Sequence, residues 1–283
     1  MSPPLAFPRT ATEALTLYLE HERLVHLAGA WIMITVGVVV LITELLGVRA
    51  PYGRYSSEQR MSSWFGPKIN AKLAWVMQEC GAFFVPLALL LFAGDERCTQ
   101  SWANRALLGM FLVHYAQRSF VYPPLMRGGK PMPIGTSFLA LLFCVYNGWL
   151  QGRLWTALEA RPPPTDSVTD AACLGVGGAL WLAGFLTNLH ADHVLRNLRK
   201  TPGDTGYYVP RGGAFEYVSA ANYFGEFVEW CGYAIAARHT AATAFAFFTF
   251  CNLAPRAKHH HAWMHQKFDD YPKTRTAMIP FLF

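Results

Sequence analysis

The chain has 283 residues and is unusually apolar, since 53% of them are hydrophobic and only 15% are charged. Soluble domains usually carry about 25% charged residues, so this composition excludes an ordinary soluble domain and indicates a membrane protein. The formal net charge is +6. The basic residues are interleaved with the ends of apolar segments and form no separate basic module, which argues against nucleic acid as a partner.

Apolar segments along the chain are candidates for membrane-spanning helices, because a hydrocarbon core about 30 Å thick takes roughly 20 apolar residues. They lie near residues 24–46, 72–93, 104–124, 135–157, 169–195, 217–237 and 240–255. The first is too long for the core of a signal peptide, so we expect it to be retained. The sequence therefore predicts an all-α, polytopic integral membrane protein with about seven transmembrane helices in a single membrane domain, residues 1–283.

The Lys and Arg residues predict how the chain is oriented. With a non-cytosolic N-terminus, the cytosolic segments hold most of them, including Arg49, Arg54 and Arg60. Because positive charge near helix ends favours the cytosolic side, we predict a non-cytosolic N-terminus and a cytosolic C-terminus. The membrane is expected to be the bacterial inner membrane or the endoplasmic reticulum, depending on the source.

Cysteine and histidine patterns favour neither thiol nor metal chemistry. The six cysteines form no C-x-x-C pair, so we predict no disulfide framework. Consecutive residues on a helix point in different directions, so His259, His260 and His261 cannot converge on one metal ion. They cluster instead with Arg256 and Lys258 at a helix end, where cationic groups could meet phosphate oxygens.

Polar residues at helical spacing interrupt two of the later apolar segments. They are Asn188, Asp192, Arg196 and Arg199 in NLHADHVLRNLRK, then Asn222, Glu226 and Glu229 in ANYFGEFVEW. Steps of three and four place each group on one helix face, and such residues are costly in lipid unless they serve a function. Carboxyl, guanidinium and amide groups aimed into a bundle suit a ligand with phosphates and an amide, such as a nucleotide. The alternative is the hydrated end of a long span, with an ordinary Asp192–Arg196 pair.

Two earlier segments also carry polar groups. Gln78 and Glu79 lie about one turn into an apolar segment, where a carboxyl should be neutral or paired; the alternative is a helix-end acid that reaches the membrane surface. Tyr115, Arg118 and Tyr122 share a helix face and form either part of a site with Glu79 or an aromatic and cationic belt at the membrane boundary. The early apolar stretch ITVGVVVLITELLGV is expected to face lipid.

Several ordered blocks resemble the steroid 5-alpha-reductases, from about residue 71 to residue 283. They are AWVMQE, HYAQRSFVYPPLMRGGKP, NGWLQG, the long block from NLHADHV to GEFVEW, AFAFFTFCNLAPRAKHHH and FDDYPKTRTAMIPF. The resemblance implies an NADPH-dependent reductase that saturates the 4,5 double bond of 3-oxo-4-ene steroids. The chain has no G-x-G-x-x-G turn and no P-loop, so helix side chains and loops are expected to hold the nucleotide.

The resemblance also assigns roles to individual residues. Gln78, Glu79 and Tyr115 match substrate-binding positions, and Glu79 and Tyr115 are the expected catalytic pair that grips the 3-oxo group. The implied NADPH-binding positions are Asn188, Asp192, Arg199, Tyr207, Asn222, Glu226, Arg256 and His260, with Arg118, Arg127 and Arg275 as supporting cations. The chain departs from the family at Met264, where a tyrosine is common, and in an extra residue in the loop RGGKP, so Lys130 receives no role.

The early spans, about 24–157, are expected to form mainly a substrate slot open to lipid, and residues of about 169–283 mainly the NADPH site. An alternative is a reductase for another membrane enone or enal, such as a polyprenal or a trans-2-enoyl-CoA. A second is an isoprenylcysteine-type methyltransferase, although methyl transfer needs no carbonyl clamp of the kind that Glu79 and Tyr115 suggest. A third is a sterol-binding protein without activity, which would not need the cationic residues.

Overall fold

The computed structural model describes residues 10–47, 65–163, 166–199, 204 and 206–283. Within these ranges the chain is built almost entirely from helices, and the only strands are two short ones that pair antiparallel. The α-helices are α1 (Ala11–Leu45), α2 (Ala71–Phe92), α3 (Glu96–Gln100), α4 (Trp102–Ala116), α5 (Tyr122–Leu125), α6 (Ile134–Arg153), α7 (Val168–Asn197), α8 (Ala221–Ala237) and α9 (Thr240–Lys267). The strands are β1 (Lys68–Ile69) and β2 (Met132–Pro133).

The predicted apolar segments all fall on helices, although several boundaries differ. α1 begins at Ala11 because Thr10 and Glu13 form a capping box before the apolar stretch starts. Within the predicted span 217–237, the α-helix starts only at Ala221. A short 3₁₀ turn precedes it. The basic loop that contains Arg49, Arg54 and Arg60 lies outside the described residues.

The composition of the helices confirms an all-α membrane protein. Among the described residues, four helical segments are long and apolar enough to cross a membrane: Ala11–Leu45, Ala71–Phe92, Ile134–Leu158 and Val168–Asn197. Large apolar side chains remain exposed on the outside of α1, including Trp31 and Ile32, both 57% exposed. The count of seven spans and the orientation of the termini stay predictions.

α7 and α8 pack so closely that their backbones touch. Gly177 and Gly184 on α7 face Gly232 and Gly225 on α8, and each lies seven residues from its partner on the same helix. A Cβ atom on Gly184 would lie 2.2 Å from the backbone nitrogen of Glu229. Small residues at this spacing let two helices approach in a membrane, and here they bring the polar faces of α7 and α8 together.

Two further contacts define one end of the bundle. α1 and α9 run parallel, since Gly37 packs on Phe248 and Glu44 binds Arg256 farther along both helices. α2 and α6 also run parallel, and the β1–β2 pair immediately precedes their N-termini. We call the end of the bundle where α1, α4, α7 and α9 finish, and where α2, α6 and α8 begin, the polar end.

Candidate active site

Tyr115 occupies the last full turn of α4, deep in the bundle. It is only 4% exposed, and its ring lies 4.7 Å from Phe111 and 6.1 Å from Trp230, measured between ring centroids. The hydroxyl oxygen accepts a hydrogen bond from Asn147 Nδ2 of α6 at 3.4 Å. The phenol therefore lies in an aromatic, water-poor environment, hydrogen-bonded to Asn147.

Glu79 on α2 approaches the same face of α6. Its Oε2 lies 4.0 Å from the Cys144 sulfur, and Cys144 and Asn147 are three residues apart on that helix. Glu79 and Tyr115 therefore contact neighbouring positions of one helix face, although no hydrogen bond joins them directly among the described residues. Gln78 is half-buried.

A π-helical turn, Gln117–Val121, follows Tyr115 and directs Arg118 inward. Such turns occur often at functional sites because they reorient side chains within a helix. Arg118 Nη1 donates to Asp192 Oδ2 at 3.1 Å, and the guanidinium lies against the rings of Trp75 and Tyr122, 4.8 and 4.7 Å from their centroids. Its side chain is 11% exposed, so it is a buried ion-pair partner and not a residue of a membrane-boundary belt.

The polar faces of α7 and α8 meet at the polar end. Asn188 Nδ2 donates to the backbone oxygen of Asn222 at 3.0 Å. Asp192 pairs with Arg118 across the bundle, whereas Arg196 donates to His193 on the outer surface of α7. The ordinary Asp192–Arg196 helix pair is therefore not formed. Glu226 is half-buried on the same face of α8 as Asn222.

Glu229, one turn deeper on α8, points elsewhere. Its Oε1 lies 2.7 Å from His114 Nδ1, and both side chains are almost fully buried. The polar face predicted from spacing thus divides, with Asn222 and Glu226 near the polar end and Glu229 paired inside the bundle.

The cationic residues of the polar end are held by loops and by the C-terminal segment. Arg199 Nε donates to the Gly206 oxygen at 3.3 Å, and its guanidinium lies 5.9 Å from the Tyr207 ring. Tyr207 packs on Trp263, 4.9 Å between ring centroids, and Trp263 stacks on His260. Arg199, Tyr207 and His260, which the sequence places far apart, therefore lie along one connected surface. Arg127 is exposed on the neighbouring loop.

Arg275 and Arg256 differ in how fully they are bonded. Arg275 is 3% exposed, and its Nη1 donates to the Pro210 oxygen at 2.9 Å, while Nε and Nη2 have no hydrogen-bond partner among the described residues. Its Nη2 lies 3.8 Å from Glu216, too far for a hydrogen bond. Arg256 Nε donates to Glu44 Oε1 at 3.0 Å.

Sequence reasoning missed three residues of this region. Asn147 lies in the NGWLQG block. Its amide side chain inside an apolar span is the sequence feature that could have identified it. Glu44 is buried to 4% exposure against Arg256, so this one residue of the stretch ITVGVVVLITELLGV faces α9, whereas the two leucines that follow it are exposed. Trp263 carried no sequence signal. Met264, where the family often has a tyrosine, is buried in α9.

Comparison with known proteins decides the family. A family model described as 3-oxo-5-alpha-steroid 4-dehydrogenase matches residues 130–283. The chain is 52% identical to 3-oxo-5-alpha-steroid 4-dehydrogenase 1 of Bos taurus over 263 residues, which cover 92% of this chain and 98% of that protein. This chain belongs to the 3-oxo-5-alpha-steroid 4-dehydrogenase family. It is therefore an oxidoreductase, and the resemblance seen in its motifs is confirmed.

Other relatives of the same family support the assignment. The chain is 53% identical over 216 residues to 3-oxo-5-alpha-steroid 4-dehydrogenase 1 of Homo sapiens, covering 76% of this chain and 82% of the relative. It is 40% identical over 258 residues to 3-oxo-5-alpha-steroid 4-dehydrogenase 2 of Sus scrofa, covering 91% and 96%. The bovine match covers more of the chain than residues 71–283, so the similarity extends into the first 70 residues.

Proposed function

We propose that this protein catalyses the NADPH-dependent reduction of the 4,5 double bond of 3-oxo-4-ene steroids to 5-alpha-3-oxosteroids. The observation that carries the proposal is the 52% identity, over nearly the whole chain, to a relative that is named for this reaction. The position of Tyr115 supports it, because a buried phenol at the boundary between apolar helices and the polar end is suited to a carbonyl group on an apolar substrate.

NADPH, when bound, would supply the hydride that is added to C5, and a proton added to C4 would complete the saturation of the double bond. Negative charge then develops on the C3 oxygen, and that oxygen is where the protein must stabilise the transition state. Tyr115 would donate a hydrogen bond to it, and Phe111 and Trp230 would exclude water around the bond. One such donor in a dry site contributes a factor of about 10² to 10³ in rate. Glu79, which contacts the same face of α6, would hold the substrate carbonyl against the phenol.

The polar end has the groups that a dinucleotide phosphate requires. The Nε and Nη2 atoms of buried Arg275, which have no hydrogen-bond partner among the described residues, are the main structural support, because buried polar atoms normally have at least one. Arg199, Arg256 and His260 add groups that can donate hydrogen bonds to phosphate oxygens, with Arg118 and Arg127 as supporting cations. The residues proposed to bind the amide, ribose and base are Asn188, Asp192, Tyr207, Asn222 and Glu226.

The two parts of the bundle would have different tasks. The early spans, about 24–157, would mainly enclose the steroid, and the later ones, about 169–283, would mainly hold NADPH. An apolar slot that opens toward lipid would let a membrane-dissolved substrate enter from the bilayer, while the cofactor would arrive from the aqueous phase at the polar end. Tyr115 lies between these parts because α4 packs against both α2 and α8.

Product analysis tests the reaction. Detergent-solubilised protein is given NADPH with a 3-oxo-4-ene steroid, a polyprenal or a trans-2-enoyl-CoA, and the products are measured by mass spectrometry. We expect a gain of two hydrogens on the steroid alone, with 5-alpha stereochemistry. Reduction of another panel member and not of the steroid would replace the proposed substrate, and bound S-adenosylmethionine in place of NADPH would contradict a reductase.

The carbonyl clamp is tested by Tyr115→Phe and Glu79→Gln. We expect each variant to lower kcat for the steroid by about 10² to 10³, because each loses a group that acts on the developing oxyanion. NADPH affinity, measured by fluorescence titration, should stay within about threefold of wild type, since the hydrogen-bond partners of the two side chains are Cys144 and Asn147, which are not proposed to bind NADPH. Near wild-type turnover in both variants would contradict the clamp.

A further inference from the structure

A chain of side-chain hydrogen bonds leads from Tyr115 into the interior of the bundle. Asn147 Nδ2 donates to the Tyr115 oxygen at 3.4 Å, and Gln151 Nε2 donates to Asn147 Oδ1 at 3.3 Å. The Tyr233 hydroxyl lies 3.3 Å from Gln151 Oε1, and Trp155 Nε1 donates to the Tyr233 oxygen at 2.7 Å. All five side chains are at most 4% exposed.

At the far end of this series of hydrogen bonds, the chemistry of the side chains determines which atom donates and which accepts. The Trp155 indole can only donate, so the Tyr233 oxygen must accept from it. The single hydrogen of Tyr233 is then free to be donated, and Gln151 Oε1 at 3.3 Å accepts it. The backbone oxygen of Ala241 can only accept, and it lies 3.1 Å from the other atom of the amide, which must be nitrogen. The Ala241 oxygen thus determines the orientation of Gln151, and the Tyr233 hydroxyl is bonded in agreement with it.

The orientation of Gln151 is transmitted to Tyr115 through one further amide. Because the nitrogen of Gln151 faces Asn147, the facing atom of Asn147 must be its oxygen, and its nitrogen must face Tyr115. The Tyr115 oxygen therefore accepts a hydrogen bond, and its own hydrogen has no acceptor among the described residues. A phenol bonded in this way can give its hydrogen only to something that enters the site.

We propose that Asn147 is a positioning residue for the reaction, held by Gln151, Tyr233 and Trp155 so that Tyr115 always presents its hydrogen to the substrate oxygen. This inference rests on the proposed function, since it specifies how the phenol of the carbonyl clamp is oriented. The bond from Asn147 also stabilises negative charge on the phenol oxygen while that oxygen shares its hydrogen with the forming enolate. Asn147 acts through Tyr115 and does not touch the substrate.

The first test compares Asn147→Ala with Asn104→Ala. Asn104 is also an asparagine inside the bundle, 1% exposed, and donates to two backbone oxygens, those of Trp155 and Glu159. We expect Asn147→Ala to lower kcat about tenfold, which corresponds to one hydrogen bond, with KM for the steroid and NADPH affinity within about threefold of wild type. Asn104→Ala should lower thermal stability and leave kcat within about threefold.

The second test is a double-mutant cycle with Tyr115→Phe. If Asn147 acts only through the Tyr115 hydroxyl, Asn147→Ala has no further effect on kcat once that hydroxyl is gone, whereas a merely structural role would lower kcat in both backgrounds. If Asn147→Ala does not fold, judged by size-exclusion chromatography, Tyr233→Phe takes its place in the cycle, with a smaller loss expected.

The outcomes separate this inference from the proposed function. If Tyr115→Phe is impaired but Asn147→Ala turns over steroid at the wild-type rate, or if the two losses are additive, the positioning role is wrong and the carbonyl clamp stands. If wild-type protein does not reduce the steroid, or Tyr115→Phe is fully active, the proposed function or its clamp fails, and the positioning role fails with it.

Discussion

The hydrogen bonds of individual residues at the polar end indicate which charged groups are available to bind a ligand. Arg118 and Asp192 form an ion pair, whereas two nitrogens of buried Arg275, Nε and Nη2, have no hydrogen-bond partner among the described residues. A buried guanidinium in this state costs stability, and an anion bound beside it would offset that cost. The spacing of the charged residues predicted a polar site, but only their pairing distinguishes a satisfied cation from one that is available.

Replacing Arg275 by methionine should weaken NADPH binding and leave the fold intact. We expect the dissociation constant for NADPH to rise at least tenfold, since a charge-assisted hydrogen bond contributes about 1.5–3 kcal/mol. The matched control is Arg105→Met, because Arg105 lies at the opposite end of the bundle and its side chain donates to the Thr99 oxygen. Equal affinity in both variants, measured by fluorescence titration, would remove Arg275 from the cofactor site.

His239 links stability to pH, because it lies between α8 and α9 and caps α9. Its Nδ1 accepts a hydrogen bond from the Ala241 N–H at 3.1 Å, and only the neutral ring can do this. Burial lowers the pKa of His239, with a smaller effect in the same direction from His26. Since the unfolded chain then binds the proton more readily, stability is complete above about pH 6.5 and falls as the pH drops below that value.

His239→Asn should reduce this pH dependence, because asparagine also caps helices but does not titrate. Thermal unfolding midpoints of the detergent-solubilised protein, measured between pH 8 and pH 5, are expected to fall less steeply in the variant than in wild type. Parallel curves for the two proteins would show that the acid sensitivity arises elsewhere.

At the scale of the helices, the glycine contacts between α7 and α8 position the polar site. A Cβ atom on Gly184 would overlap the Glu229 backbone nitrogen, and a Cβ atom on Gly225 would lie 2.5 Å from the Asn188 backbone nitrogen. This contact brings the Asn188 amide within hydrogen-bond distance of the Asn222 backbone. The helices were predictable from apolar composition, but the face by which each one packs was not, because both carry small residues on several sides.

Gly184→Ala should therefore destabilise the protein although alanine favours helices. We expect a loss of about 3 kcal/mol, because a methyl group would overlap the α8 backbone. The matched control is Gly178→Ala on the same helix, since nothing lies within 4 Å of the position of its added carbon. That variant should be neutral or slightly stabilised. Similar unfolding midpoints for both variants would contradict the close contact.

At the scale of the whole molecule, the two ends of the bundle differ in how fully their polar side chains are hydrogen-bonded. The polar end contains side chains with unused bonding capacity. At the opposite end Arg153 makes two bonds to Glu22, at 2.6 and 2.8 Å, and Tyr18 donates to the same carboxylate at 2.7 Å. This second cluster is self-contained, so we interpret it as an attachment of α1 to α6 and not as a ligand site.

Glu22→Gln tests that distinction. The variant should lower the thermal midpoint by roughly 5 °C, because it weakens a charge-assisted pair. Steroid turnover and NADPH affinity at a temperature where both proteins are folded should match wild type. Loss of activity without loss of stability would show that the attachment of α1 to α6 also shapes the site.

The sequence by itself determined the class of protein, the approximate helices, the family and most of the residues at the polar end. These depend on apolar composition, on helical spacing and on local motifs, all of which can be read along the chain. The tertiary structure alone decided the partners: Asp192 with Arg118, Arg256 with Glu44, and Tyr115 with Asn147. The two residues of each pair lie on different helices. Their contact therefore depends on which helix faces pack together, and the sequence alone does not specify this.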